Sequence, residues 1–185
     1  MLDPHDPVDA IAVAWTAERP ATDVSSIGIV TRIWHAAKLL GQDRQDTLAR
    51  VGADSAVLDL LSVLRRSGPP YRLTTRELTQ ATMVSAGAIS QRVARAERDG
   101  LVVRTQRDDG SRRVDVELTT AGHALVEQLV DEVLQREREL VDHLDAQQRQ
   151  QLAELLRRLL DGLHKELGNQ KLTHVGHTPG PEPRD

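Results

Sequence analysis

The sequence predicts a mainly α protein with one small β-wing. Three observations carry that prediction. Apolar residues recur at helical spacing over most of the 185 residues. Residues 83–119, "MVSAGAISQRVARAERDGLVVRTQRDDGSRRVDVELT", pass from a helical pattern into two short β-branched runs around an Arg/Asp/Gly loop. The same region gathers arginines in a chain whose formal net charge is −4.

Each element has its own signal. "VDAIAVAW" reads as a short helix over residues 4–18, ended by the Arg19-Pro20 step. Residues 23–26 can cap a second helix running to about Leu40, with Ile27, Val30, Ile33 and Ala37 on one face. A third spans residues 54–66, with Val57, Leu60, Leu61 and Leu64 apolar, and "SGPPY" breaks it. In "LTTRELTQAT", Thr74 and Glu77 form a capping-box pattern. "SAGAISQRVARAERDG" is the next helix, residues 85–99, closed by Gly100. A two-stranded hairpin follows, "LVVRTQ" and "RRVDVELT" around "RDDGS". Thr120 opens a long amphipathic helix to about Leu144, and Asp145 caps the last one, which ends near Gly168. The tail "THVGHTPGPEPRD" is Pro/Gly-rich and predicted disordered. Helix, tight turn, helix and hairpin between long helices is the order of a winged helix-turn-helix.

Charge separates function classes. Residues 62–113 hold eleven Arg and no Lys against five carboxylates, about +6, while the rest of the chain carries about −10. A module that faces nucleic acid needs such a local cluster, because phosphate neutralisation is local. The competing explanation is chance clustering of solvated arginines on helix faces. The chain has no cysteine, which removes disulfides, thiolate redox sensing and Cys-bound zinc. His35, His123, His143 and His164 are scattered without metal-ligand spacing, so no metal is expected. No G-x-S-x-G, phosphate loop or H-E-x-x-H is present, no cofactor is implied, and an enzyme is not expected. There is no run of about 18 apolar residues and no basic leader, so no membrane partner is expected and the expected location is cytoplasmic.

The helix from Ser85 is the candidate recognition helix. Ser85, Gly87 and Ala88 are small enough to let backbone approach a major groove. Ser90, Gln91, Arg92 and Arg95 offer donors for base edges and phosphates. Ile89, Val93 and Ala96 form its buried side. Arg107, Arg112 and Arg113 of the loop are placed for the neighbouring minor groove.

"ELT", the S-x-x-x-S-x-R helix, "ERDGLVVR", "RDDGSRR" and "LTTAG" together resemble the winged-helix core of the MarR (multiple antibiotic resistance regulator) family, over roughly residues 24–167. The resemblance implies a homodimeric transcriptional regulator, by the family's usual mode a repressor. Its partners would be double-stranded DNA with a pseudo-palindromic operator and a small ligand that releases it. The implied organisation is an extra N-terminal helix (1–20), an N-terminal dimerisation helix (21–53), a DNA-binding domain (54–119), C-terminal dimerisation helices (120–168) and the tail (169–185). The apolar faces of "HALVEQLVDEVL" and "QLAELLRRLLDGL" fit a helical interface independently, and could equally pack within one subunit. A narrower resemblance is to the MarR branch that answers to urate and related anions. It implies a ligand site at Trp15, Asp59, Arg66 and Arg104.

The chemistry of that set is coherent. Asp59 and Arg66 lie seven residues apart on one helix face. An indole supplies a flat wall, and an arginine fork binds a planar anion bidentately. In the free protein Asp59 can hold an arginine, which the anion would take over. The plainer alternatives are packing for Trp15 and a surface ion pair for Asp59. A ligand other than urate, phenolic or otherwise an organic anion, is the next alternative. A ligand-indifferent architectural DNA-binding protein is the third.

Overall fold

The computed structural model describes residues 6–82, 84–106 and 113–168. Arg107, Arg112 and the tail 169–185 lie outside the described residues. Among the described residues there are seven helices and one three-stranded antiparallel sheet, in two compact units, residues 1–44 and 45–185.

In the first unit, α1 (Pro7–Glu18) starts at Asp6, whose carboxylate accepts from the Val8 and Asp9 amides at 2.8 and 3.1 Å. Val8 and Ala12 are its buried apolar residues. Arg32 of α2 (Ile27–Arg50) reaches both Asp6 and Asp9 at 2.9 Å, so a bridging guanidinium joins the two helices. The expected end of α2 near Leu40 is corrected: the helix continues through Gly41 to Arg50. Gly41 has a helical φ and open space around it, and the polar run after it is made of adequate helix formers. The left-handed stop is Gly52, at φ +71°.

The second unit is built around α3 (Ser55–Arg66). Residues 58–64 are all buried, so this helix is enclosed on every side. Its start is capped by Asp54, which accepts from the Val57 amide at 2.9 Å. At its end, the Arg65 guanidinium lies 4.9 Å over the Tyr71 ring and pairs with Glu127 at 3.0 Å, while Tyr71 meets His123 edge-on at 4.6 Å.

The expected hairpin is a three-stranded sheet. A short β1 (Arg72–Thr74) precedes α4 (Thr75–Thr82) and pairs with β3 (Val114–Leu118), which also pairs with β2 (Val102–Gln106), giving the order β1-β3-β2. Three residues are too few to show alternation, which is why pattern reading passes over β1. Thr74 and Glu77 do form the reciprocal cap: the Glu77 amide donates to Thr74 Oγ1 at 3.2 Å and the Thr74 amide to Glu77 Oε2 at 2.7 Å. Ser85 caps α5 (Ala86–Arg98), and Gly100 turns the chain at φ +71°. Leu61, Leu64, Leu78, Ile89, Val93 and Val116 are at most 1% exposed and lock α3, α4, α5 and the sheet into one core. At about 1.5–3 kcal/mol per fully buried side chain, this packing is what holds the helix-turn-helix together.

Two long helices close the chain. Thr119 caps α6 (Thr120–Leu140), which ends one turn earlier than expected. Val126 and Leu129 of α6 face α3. Asp145 caps α7 (Ala146–Leu167) in a capping box with Gln148. No residue of α7 is buried, although Leu152, Leu155, Leu156, Leu159 and Leu163 repeat at helical spacing.

At the entry of α6, a Cβ added to Gly122 would fall 2.0 Å from the Leu101 carbonyl oxygen. The obstacle is backbone, so it cannot swing aside. Gly122→Ala is expected to lower stability by about 1–3 kcal/mol, read as a shifted urea midpoint with an unchanged slope. An unshifted midpoint would show that α6 does not need this approach.

Candidate nucleic-acid interface

The α4–turn–α5 pair presents α5 on the surface of the second unit. Three apolar residues of α5, Ile89, Val93 and Ala96, are buried in the core. Turned away from that face are Ser85, Ala86, Gly87, Ser90 and Gln91, all exposed, with Ala88 half-buried. Ser85 Oγ accepts from the Ala88 amide at 3.2 Å, which uses one lone pair and leaves the hydroxyl proton free to turn outward. A Cβ on Gly87 would meet only Ser85 Oγ, at 4.0 Å, so packing within the domain does not require a glycine there.

Two hollows flank α5. One, of about 430 Å³, lies between α4, α5 and the base of the wing, with Arg76, Thr79, Ser90 and Arg104 in its walls. The other, of about 220 Å³, lies between α3 and α5 and is lined by Val57, Leu60, Gln91, Arg92 and Arg95. Arg113 stands exposed at the foot of β3.

The arginines differ more than their count suggests. Arg92 turns inward: its side chain is 18% exposed, and its Nη1 lies 3.7 Å from Asp59 Oδ2 on buried α3. That Nη1 is buried without a hydrogen-bond acceptor, and so is the Ser62 hydroxyl one turn along α3 from Asp59. Arg95 donates to Asp54 Oδ2 at 2.6 Å and lies 3.9 Å from Asp99. Arg104 Nε donates to Glu97 Oε2 at 2.7 Å, which ties β2 to the end of α5. The Arg104 hydrogen bond holds the Glu97 carboxyl below its ordinary pKa and raises that of Arg104. Arg72 pairs with Glu117 across the sheet. Arg66 donates to the Ser62 carbonyl of its own helix at 3.2 Å.

Of the residues expected to bind a ligand, Asp59 is thus joined to an arginine, and the arginine is Arg92. Arg66 and Arg104 have other partners, and Trp15 belongs to the first unit, half-exposed at 50%. Sequence reasoning assigned Arg92 and Arg95 to DNA and passed over their pairing with Asp59 of α3 and its cap residue Asp54. The signal was present: an Asp inside the apolar run "VLDLLSVL" must find a cation once buried.

Residues 52–113 match the model of the MarR family. The HTH-type transcriptional regulator PecS of Dickeya dadantii (strain 3937) is 26% identical over 152 residues, which span 82% of this chain and 92% of PecS. Wild-type MarR from E. coli in its apo form is 27% identical with a TM-score of 0.61, covering 71% of this chain and 96% of that one. A mutant E. coli MarR complexed with operator DNA is 27% identical with a TM-score of 0.60, covering 75% and 99%.

Two outcomes follow from the ion pairs. Asp59→Ala leaves the buried Arg92 guanidinium without its carboxylate and is expected to cost about 3 kcal/mol in chemical denaturation. Adding Arg92→Met should recover most of that loss, and strictly additive costs would contradict a coupled pair. The second outcome concerns Asp54. Burial pushes its carboxyl up, but the Val57 amide and the Arg95 guanidinium outweigh burial, so its pKa lies below the ordinary 3.8. A depressed folded pKa contributes stability that is present above the unfolded pKa and lost as pH falls through the folded one. Asp54→Asn should therefore narrow the stability lost on acidification below about pH 4, measured as the difference between wild-type and variant urea midpoints. Parallel pH profiles would contradict it.

Proposed function

We propose that the chain is a winged-helix, DNA-binding transcriptional regulator of the MarR family, a homodimeric repressor released from its operator by a small organic anion such as urate. The observation that carries the ligand switch is the buried guanidinium of Arg92, held 3.7 Å from Asp59 with its Nη1 unmatched. An unsatisfied buried donor is costly, and an anion's oxygen would satisfy it.

In this reading α5 enters the major groove, where Ser90 and Gln91 meet base edges and Ser85, Gly87 and Ala88 let the backbone come close. The glycine at 87, which the domain's own packing does not demand, supports that role. Arg113, with Arg107 and Arg112, reaches the adjacent minor groove. The unburied leucine row of α7 supports a second copy as its cover, which would set two half-sites about one helical turn apart. The anion draws Arg92 away from Asp59, and Arg92 is part of α5, so the recognition helix shifts with it. Arg104 is tied to the same helix through Glu97 and lines the hollow on the other flank of α5, so a shift of α5 is transmitted there, while Arg66 lies two turns along α3 from Asp59. Coupling of about 1–3 kcal/mol between ligand and DNA, roughly 5- to 150-fold in affinity, is sufficient for such a switch.

The test is a mobility-shift titration on the DNA upstream of the chain's own gene, at fixed salt, with urate and a panel of planar carboxylates and phenolic anions. A discrete complex dissolved by one anion, with Asp59→Ser folded, DNA-binding and blunted in that response, is the expected result. A ligand response unchanged in Asp59→Ser would overturn the switch. A complex indifferent to every anion would favour a ligand-indifferent DNA-binding protein.

A further inference from the structure

Helix α3 offers two carboxylates to two arginines of α5. The inner pair, Asp59 with Arg92, is buried. The outer pair, Asp54 with Arg95, is half-exposed at 45% and 51%, and its contact is the tighter one, at 2.6 Å. Arg95 follows Gln91 by one helical turn, and both line the hollow between α3 and α5. It is therefore a cation on the face proposed to turn toward DNA, yet its guanidinium is engaged by Asp54.

Asp54 is unusually committed to that position. Its Oδ1 caps α3 while its Oδ2 accepts from Arg95. A carboxylate fixed by a backbone amide does not swing away with the arginine, so Asp54 ties the Arg95 guanidinium to the start of α3 although half of that side chain is exposed. The carboxyl also stays ionised throughout the neutral range, since its pKa is lowered.

We propose that Asp54 is a specificity-determining residue: by holding Arg95 it removes one cation per subunit from the electrostatic footprint that binds any DNA, and leaves base reading by the start of α5 untouched. The inference rests on the DNA-binding role proposed for α5 and goes beyond it. Non-specific affinity comes almost entirely from phosphate neutralisation, and each neutralised phosphate adds about 0.9 to the slope of log affinity against log salt. A cation withheld from phosphates thus lowers affinity for bulk DNA and raises the ratio of operator to non-operator binding.

The experiment measures binding of the full chain to a random-sequence duplex of about three helical turns by fluorescence anisotropy, across a salt series. Asp54→Asn keeps a good helix cap and frees Arg95. It is expected to steepen the salt slope by about 0.9 per bound subunit, a further loss of roughly 3.5-fold in affinity per subunit between about 50 and 200 mM salt. Arg95→Gln should leave the slope at the wild-type value, and the double variant should return to it. Circular dichroism confirms that each variant is folded, and Asp54→Ser replaces Asp54→Asn if the latter is not. A slope unchanged in Asp54→Asn, or flattened by about 0.9 in Arg95→Gln, overturns the inference, because Arg95 would then already neutralise a phosphate. Wild-type chain without salt-dependent duplex binding overturns the DNA-binding role itself, and the inference with it.

Discussion

Residues 58–64 of α3 are out of solvent, and two of them, Asp59 and Ser62, are polar. That constraint shapes the second unit. An ionised carboxylate cannot be buried alone, so a cation has to come to it, and the cation is Arg92 of α5. The helix that faces outward is thereby joined electrostatically, as well as by Ile89, Val93 and Ala96, to the helix at the centre of the core. Apolar packing by itself would hold α5 down but would leave it free to slide. A charge pair at one position fixes where along α3 it sits. The pair is also imperfect, with Arg92 Nη1 and the Ser62 hydroxyl unmatched.

The charge map read along the chain and the one read in space differ for the same reason. Residues 62–113 carry about +6 by counting, but Arg65, Arg72, Arg92 and Arg95 pair with Glu127, Glu117, Asp59 and Asp54, all outside that segment. The fold brings carboxylates from the flanking helices and from the sheet onto the arginine cluster. Much of the cluster is thus engaged in ion pairs within the domain, and the surface potential of the winged helix is milder than the sequence segment suggests. An arginine's role follows from its partner. Arg92 faces a buried acid, Arg95 a helix cap, Arg104 the end of α5, and only position in the fold distinguishes them.

Local chemistry made much of the fold legible. The Thr74/Glu77 cap, the Asp145 cap and the Gly100 turn involve residues within four positions of each other, so their spacing is their geometry. The buried face of α5 was legible because Ile89, Val93 and Ala96 keep helical period. What depended on distant partners was not. Strand β1 exists because β3, more than 40 residues away, offers it a free edge. Helix α2 outruns its glycine because nothing at Gly41 forces a left-handed turn. The inward turn of Arg92 was invisible beside the outward Gln91, although Asp59 in an apolar run announced that some cation was needed.

The direct test of the central claim is amide hydrogen exchange, compared between wild type and Asp59→Asn under conditions where both are folded. If the Asp59–Arg92 pair fixes α5 against α3, exchange should rise along α5 and its facing turns of α3, while α7 keeps its wild-type rates. Exchange in α5 that is unchanged, or that rises equally over every helix, would contradict it, and apolar packing alone would then account for where α5 sits.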